Sequence, residues 1–123
     1  MSKYSVEEVF NLLGKDALML SCISRSKRDS IEVSGFKVYR QSLRYATFFQ
    51  KGCTCVGCGR EGVYFKLDQG DNAGQRRHFN LYAADGTLMT KDHILPKALG
   101  GRDVISNMQT MCVYCNGKKA ANY

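Results

Sequence analysis

At 123 residues the chain has room for one domain and one modest core, a size at which a metal or cross-link often supplements apolar burial. Eighteen Lys and Arg against eleven Asp and Glu give a formal charge of +7, which favours a polyanionic partner such as nucleic acid. The longest nearly apolar run, Ala17 to Ile23, is too short to span a bilayer, and Lys3, Glu7 and Glu8 stand where a secretory signal would be apolar. These features argue against a membrane protein and for a cytoplasmic one, in which six cysteines stay reduced and become candidate metal ligands.

The first predicted element is a helix. Val6, Val9, Phe10 and Leu13 form one stripe at helical spacing, Ser5 with Glu8 fits a capping box, and Gly14 suits the stop. Ala17 to Ile23 is read as a buried strand and Ile31 to Val33 as a second, with Arg25, Lys27 and Arg28 in a basic turn between them. Tyr39, Leu43, Ala46 and Phe49 predict a second helix carrying Arg40 and Arg44 on its exposed side. From 25 to 51 there are seven basic and two acidic residues, which fits either a solvated face or a surface that tracks phosphates. Residues 1–50 thus form a helix and short-strand region with no assigned function.

A glycine- and cysteine-rich knuckle follows from Gly52 to Gly62, then a strand at Val63 to Leu67 and a loop from Asp68 to Arg77. Phe79, Leu81 and Ala83 alternate with polar residues, Asp85-Gly86 supplies a tight turn, and Thr87 to Asp92 returns as a hairpin.

Two C-x-x-C pairs, Cys55 with Cys58 and Cys112 with Cys115, have the spacing at which two thiolates converge on one tetrahedral ion. Two pairs in one short chain point to a structural zinc held by four cysteines. The 53 residues between the pairs (59 through 111) mean that the ion ties distant parts of the chain together. Cys53 competes with Cys55 for a ligand position, and Cys22 is expected as a small buried apolar residue. A thiol oxidoreductase does not fit, because neither pair sits in a βαβ pattern. Asp92-His93 sets a magnesium-type carboxylate beside an imidazole suited to general-base work. Neighbours on an ideal strand point to opposite faces, so the chain must bend here for both to serve one site.

Asn107 lies 14 residues after His93, and Asn116 lies nine further on, directly after Cys115. With DHILPKALGG from Asp92 to Gly101 and SNMQTMCVYCNGKK from Ser106 to Lys119, the stretch from Phe79 to Lys119 resembles the HNH endonuclease family, in particular its zinc-containing members. Cys55-Val-Gly-Cys58-Gly59 matches their upstream knuckle. The resemblance extends to small phage-encoded members, which implies action in host cytoplasm. The resemblance implies an α+β fold, a small single domain in which residues 51–123 form a zinc-stapled unit ending in a ββα-metal motif. It implies a strand from Leu88 to His93, an extended piece near Gln109 to Met111, and a helix from about Val113 to Ala121.

It further implies His93 as general base, Asp92 and Asn116 as ligands of a catalytic magnesium (manganese or another divalent ion substituting), and Asn107 as the residue that holds the His93 loop. Lys118 and Lys119 would face phosphate; Arg40 and Arg44, outside the resemblance, are nucleic-acid contacts expected from the basic stretch alone. The substrate implied is DNA, with RNA left open. The pattern here is H-N-N, since Asn116 stands where many relatives have His, and a neutral amide oxygen is a weaker magnesium ligand. His78, at the start of the hairpin, is read as structural. The competing reading is a non-catalytic zinc module that binds nucleic acid or protein and keeps a decayed site.

Overall fold

The computed structural model describes residues 2–69 and 76–121. Strand β1 (Lys3–Ser5) leads into helix α1 (Val6–Leu13). The Ser5 hydroxyl accepts from Glu8 N, and the Glu8 carboxylate accepts from Ser5 N, so two amides at the helix start are satisfied reciprocally. Val9 and Leu13 are fully buried on the predicted stripe, and Gly14 N bonds Phe10 O to end the helix.

The strand expected over Ala17 to Ile23 is not there. Gly14 O accepts from Leu18 N and opens a one-turn helix α2 (Lys15–Leu18), which buries Ala17 and Leu18 and leaves Met19 and Leu20 exposed. A short apolar run does not distinguish strand from helix by itself. Gln50 Nε2 then donates to Leu18 O and Leu20 O, tying this segment down. Cys22, expected to be buried, is exposed.

A 3₁₀ turn at Arg25–Lys27 precedes an antiparallel hairpin of β2 (Ser30–Val33) and β3 (Phe36–Tyr39). Helix α3 (Leu43–Lys51) is capped by Ser42. Tyr39 and Arg40 therefore precede this helix instead of lying on it. Arg40 is mostly buried and holds the Asp16 carboxylate at 3.0 Å, the Asp29 carboxylate at 2.7 Å and Leu13 O at 2.9 Å. That corrects the expectation of an exposed Arg40: its guanidinium locks three segments together, and it keeps both carboxyls below their usual range.

The main sheet has five antiparallel strands in the order β1, β4 (Gly62–Gln69), β5 (Arg77–Ala83), β6 (Leu88–His93) and β7 (Met108–Cys112). Strands β4 and β5 pair as far as Gln69 with Arg77, so both run further than the sequence predicts. Of the expected loop between them, residues 70–75 lie outside the described residues. Helix α4 (Val113–Ala121) follows β7 directly, over the predicted span.

One core holds Val9, Leu13, Phe48, Phe65, Phe79 and Met111, so residues from both ends of the chain pack together. Aromatic rings meet edge-on within it, Phe10 on Phe49 at 5.1 Å and Phe65 on Phe79 at 6.1 Å. Ala46, Ile105 and Met108 form a smaller cluster that seats the loop before β7 on α3. Among the described residues no helix is long and apolar enough to cross a membrane.

Candidate active site and metal centre

The four sulfurs of Cys55, Cys58, Cys112 and Cys115 lie within 4.8 Å of one another. The first pair comes from the knuckle before β4, and the second from the β7–α4 junction. Two backbone bonds shape the ligand loops: Gly57 N donates to Cys55 Sγ and Cys115 N to Cys112 Sγ, each at 3.4 Å. Burial raises the Cys55 thiol, yet the surrounding hydrogen bonds outweigh it and bring the group down to about 6. Cys115 moves the other way, pushed up to about 12, first by its hydrogen bond with the Cys112 sulfur. Cysteine binds a cation as thiolate, so an ion at these converging sulfurs would displace their protons. Arg60, which sequence reasoning passed over, points Nη1 at Cys58 Sγ and Cys112 Sγ from 3.8 and 3.7 Å and adds positive charge beside them.

Cys53 stands apart from the cluster. Its thiol lies 3.7 Å from Phe48 O, and burial pushes it up to about 11. The four-sulfur cluster thus includes Cys55 and leaves out Cys53. At Gly57 a Cβ would come within 2.9 Å of Cys115 Sγ. Gly57→Ala is therefore expected to weaken metal retention by about tenfold or more, in line with changes around ligand shells. Competition with a chromophoric chelator measures it, and unchanged retention would show that the knuckle can shift.

The second site lies at the end of β6. A cavity of about 430 Å³ is lined by Asp92, His93, Asn116 and Lys119, with Lys91, Pro96, Lys97 and Ala120. Asp92 and His93 face this cavity together because the strand ends at His93. From there the chain turns through a 3₁₀ turn at Lys97–Leu99 into Gly100 and Gly101. A side chain at Gly101 would collide with Leu95 O, so the turn closes only on glycine.

Asn107 clamps that turn. Its Oδ1 accepts from Leu95 N at 2.8 Å, and its Nδ2 donates to Leu95 O at 3.0 Å and Arg102 O at 3.1 Å. Ile94 N donates to Asn107 O at 2.8 Å and fixes the exit of β6. The clamp delivers Asp103 to His93, whose Nε2 is 2.6 Å from Asp103 Oδ1. Asp103 also binds Lys97, and the bond to His93 followed by that to Lys97 keeps its carboxyl below the usual range. No local pattern in the sequence announces Asp103, because its partnership depends on how the loop closes.

Asp92, 9% exposed, accepts from Gln109 Nε2 at 2.9 Å and Lys119 Nζ at 2.6 Å, both on Oδ2. Among the described residues Oδ1 has no hydrogen-bond partner and remains available to an ion. Asn116 Nδ2 donates to Thr90 Oγ1 at 2.9 Å. The Thr90 hydroxyl gives its only proton to Met111 O at 2.8 Å, so it can only accept from Asn116. This fixes which end of the amide is nitrogen and leaves the Asn116 oxygen as the group it can offer a ligand. A carboxylate oxygen and an amide oxygen are hard donors that fit magnesium or manganese.

Lys119 was expected to face phosphate. Instead its ammonium turns inward to Asp92 and also binds the carbonyls of His93 and Ile94. Lys118 is exposed on the last turn of α4. Arg44, on α3, bonds Asn80 Oδ1 at 3.1 Å, and after burial its charge is the next cause that lowers the Lys91 ammonium at the cavity edge. His78, read as structural, lines a separate basic cavity beside Arg44.

Residues 83–123 match the model of a family described as HNH endonuclease. Searches of curated proteins and of solved structures found no match.

Proposed function

We propose that this chain, whose residues 83–123 are of the HNH endonuclease family, is a metal-dependent endonuclease that hydrolyses phosphodiester bonds of DNA. The observation that carries the reading is the convergence of Asp92, His93 and Asn116 on one cavity inside the matched segment. Zinc in the four-cysteine cluster is the structural ion, and a magnesium-type cation at Asp92 and Asn116 is the catalytic one.

His93 is the general base in this scheme. With Nε2–H donated to Asp103, the imidazole presents Nδ1 as its basic nitrogen, so Asp103 sets the tautomer and the ring orientation. Water gives its proton to His93 and its oxygen attacks phosphorus, and the 3′ oxygen departs with the bonding pair. The family likeness implies 5′-phosphate and 3′-hydroxyl ends. A divalent cation held at Asp92 and Asn116 supplies Lewis-acid stabilisation of the phosphoryl charge. Asn107 keeps the loop and base in register, and the positive charges of Lys91 and Lys97 at the cavity edge attract the scissile strand.

One observation favours the non-catalytic alternative: Lys119 already neutralises Asp92. Incubation of the protein with supercoiled plasmid, with and without magnesium, decides between them, since a decayed module binds without cutting. If the enzyme reading holds, Asp92→Ala loses cleavage by more than about 100-fold through weakened metal binding. Raising magnesium restores part of that loss. A cleavage rate in Asp92→Ala equal to the parent's would remove Asp92 from the metal site.

A further inference from the structure

A second cavity, of about 420 Å³, opens where the Arg25–Lys27 turn, the end of β3, the start of α3 and the start of β5 meet. Its lining includes Arg25, Arg28, Arg44 and Arg76, with Tyr39 and Ser42, and no acidic side chain lines it among the described residues. Residues from three separate stretches of chain thus converge on a concentration of like charge.

Two carboxylates that adjoin the lining, Asp29 next to Arg28 and Asp68 paired across the sheet with His78, are committed elsewhere. Asp29 is held by Arg40 and Gln41, and Asp68 by Asn80 and Tyr82. Tyr39 offers its ring to Arg28 at 4.4 Å and to Arg76 at 5.8 Å, which steadies the guanidiniums without cancelling their charge. Arg28 Nε is buried and has no hydrogen-bond partner among the described residues. A buried donor is ordinarily satisfied, so this one is an unmet demand for an acceptor. The start of α3 adds the positive end of a helix to the same wall.

We propose that this cavity binds a phosphate group of the nucleic-acid strand, away from the bond being cut. Planar guanidinium forks match phosphate oxygens in pairs, and a helix start accepts the same anion. Continuity with the cleft comes through Arg44, which lines this cavity from α3, the helix packed against β6, whose end carries Asp92 and His93. The assignment rests on the nuclease reading for its choice of nucleic acid. It extends that reading to residues outside 83–123, and gives residues 25–44 the task of gripping the strand.

The test measures affinity for a fluorescently labelled DNA duplex across a salt series, without added magnesium, for the parent, Arg25→Gln/Arg76→Gln and Arg28→Gln. Arg25 and Arg76 are exposed, so the double variant is expected to fold as the parent does, which circular dichroism verifies. The expected result is affinity about tenfold weaker for the double variant on every duplex sequence, with the log–log salt slope shallower by about one for each phosphate no longer neutralised. Unchanged affinity and slope in both variants overturn the proposal. A third arm adds pyrophosphate and follows thermal stability. Stabilisation of the parent but not of Arg28→Gln, with the duplex slope unaltered, would assign the cavity to a free anion and overturn the nucleic-acid assignment. Plasmid cleavage with magnesium is scored separately. A shallower slope without any cleavage supports the phosphate site and sinks the nuclease reading, whereas cleavage with an unchanged slope does the reverse.

Discussion

His93→Ala protein is expected to fold, keep its cysteine-bound ion and bind DNA as the parent does, yet cleave plasmid about 10²–10⁴-fold more slowly, the usual contribution of a positioned general base. The imidazole is on the cavity wall, and its side-chain partner is the exposed Asp103, so its removal leaves the core intact. Asp92, Asn116 and the four sulfurs keep their own supports in Gln109, Thr90 and the knuckle amides. Nicking rates set beside zinc content and duplex affinity separate the base from everything else in the protein. Added magnesium should not rescue this variant, in contrast to Asp92→Ala. Cleavage at the parental rate would end the assignment of His93 as base and return the protein to the binding-module reading.

The second large effect belongs to Cys112→Ser. Cys112 is fully buried, lies in the main core and pairs across the sheet with Met89. Structural zinc in small modules contributes about 10–16 kcal/mol of apparent binding free energy, which folding inherits. A domain of this size is stable by only about 5–15 kcal/mol. Loss of one thiolate is therefore expected to release the ion and abolish the cooperative thermal transition at ordinary temperature. Cys53→Ser, outside the cluster, should retain both. Elemental analysis and thermal melts on the two variants check this, and a metal-free parent with an undiminished melting temperature would refute it.

Where the chain's local pattern carries the information, the fold was legible in advance. The Ser5–Glu8 box with its apolar stripe and the Asp85-Gly86 hairpin depend on neighbours in sequence, whereas α4 over Val113–Ala121 followed from the family resemblance. The cysteine cluster was legible from spacing alone, and Asp92, His93 and Asn116 from the resemblance that placed them. What escaped depends on partners far along the chain. Arg40 reads as an exposed helical base until Asp16 and Asp29, 24 and 11 residues away, close on it. Lys119 reads as a phosphate contact until the helix presents it to Asp92, 27 residues earlier. Asp103 and Thr90 gain their meaning only from a folded loop and a paired strand. Ala17 to Ile23 was misread because burial, not periodicity, decides a run that short.

The order of strands has a consequence for how the chain closes on itself. From β4 to β7 each strand pairs with the next in sequence, so the sheet can zip through a series of short closures. The knuckle is then already beside β7, held by the bond from Val56 N to Thr110 O and that from Thr110 Oγ1 to Gly52 O. The two cysteine pairs, 53 residues apart in the chain, meet without a long random search. The conformational entropy of that closure is shared with the sheet, so an ion at the four sulfurs would stabilise contacts that the strand order already brings together.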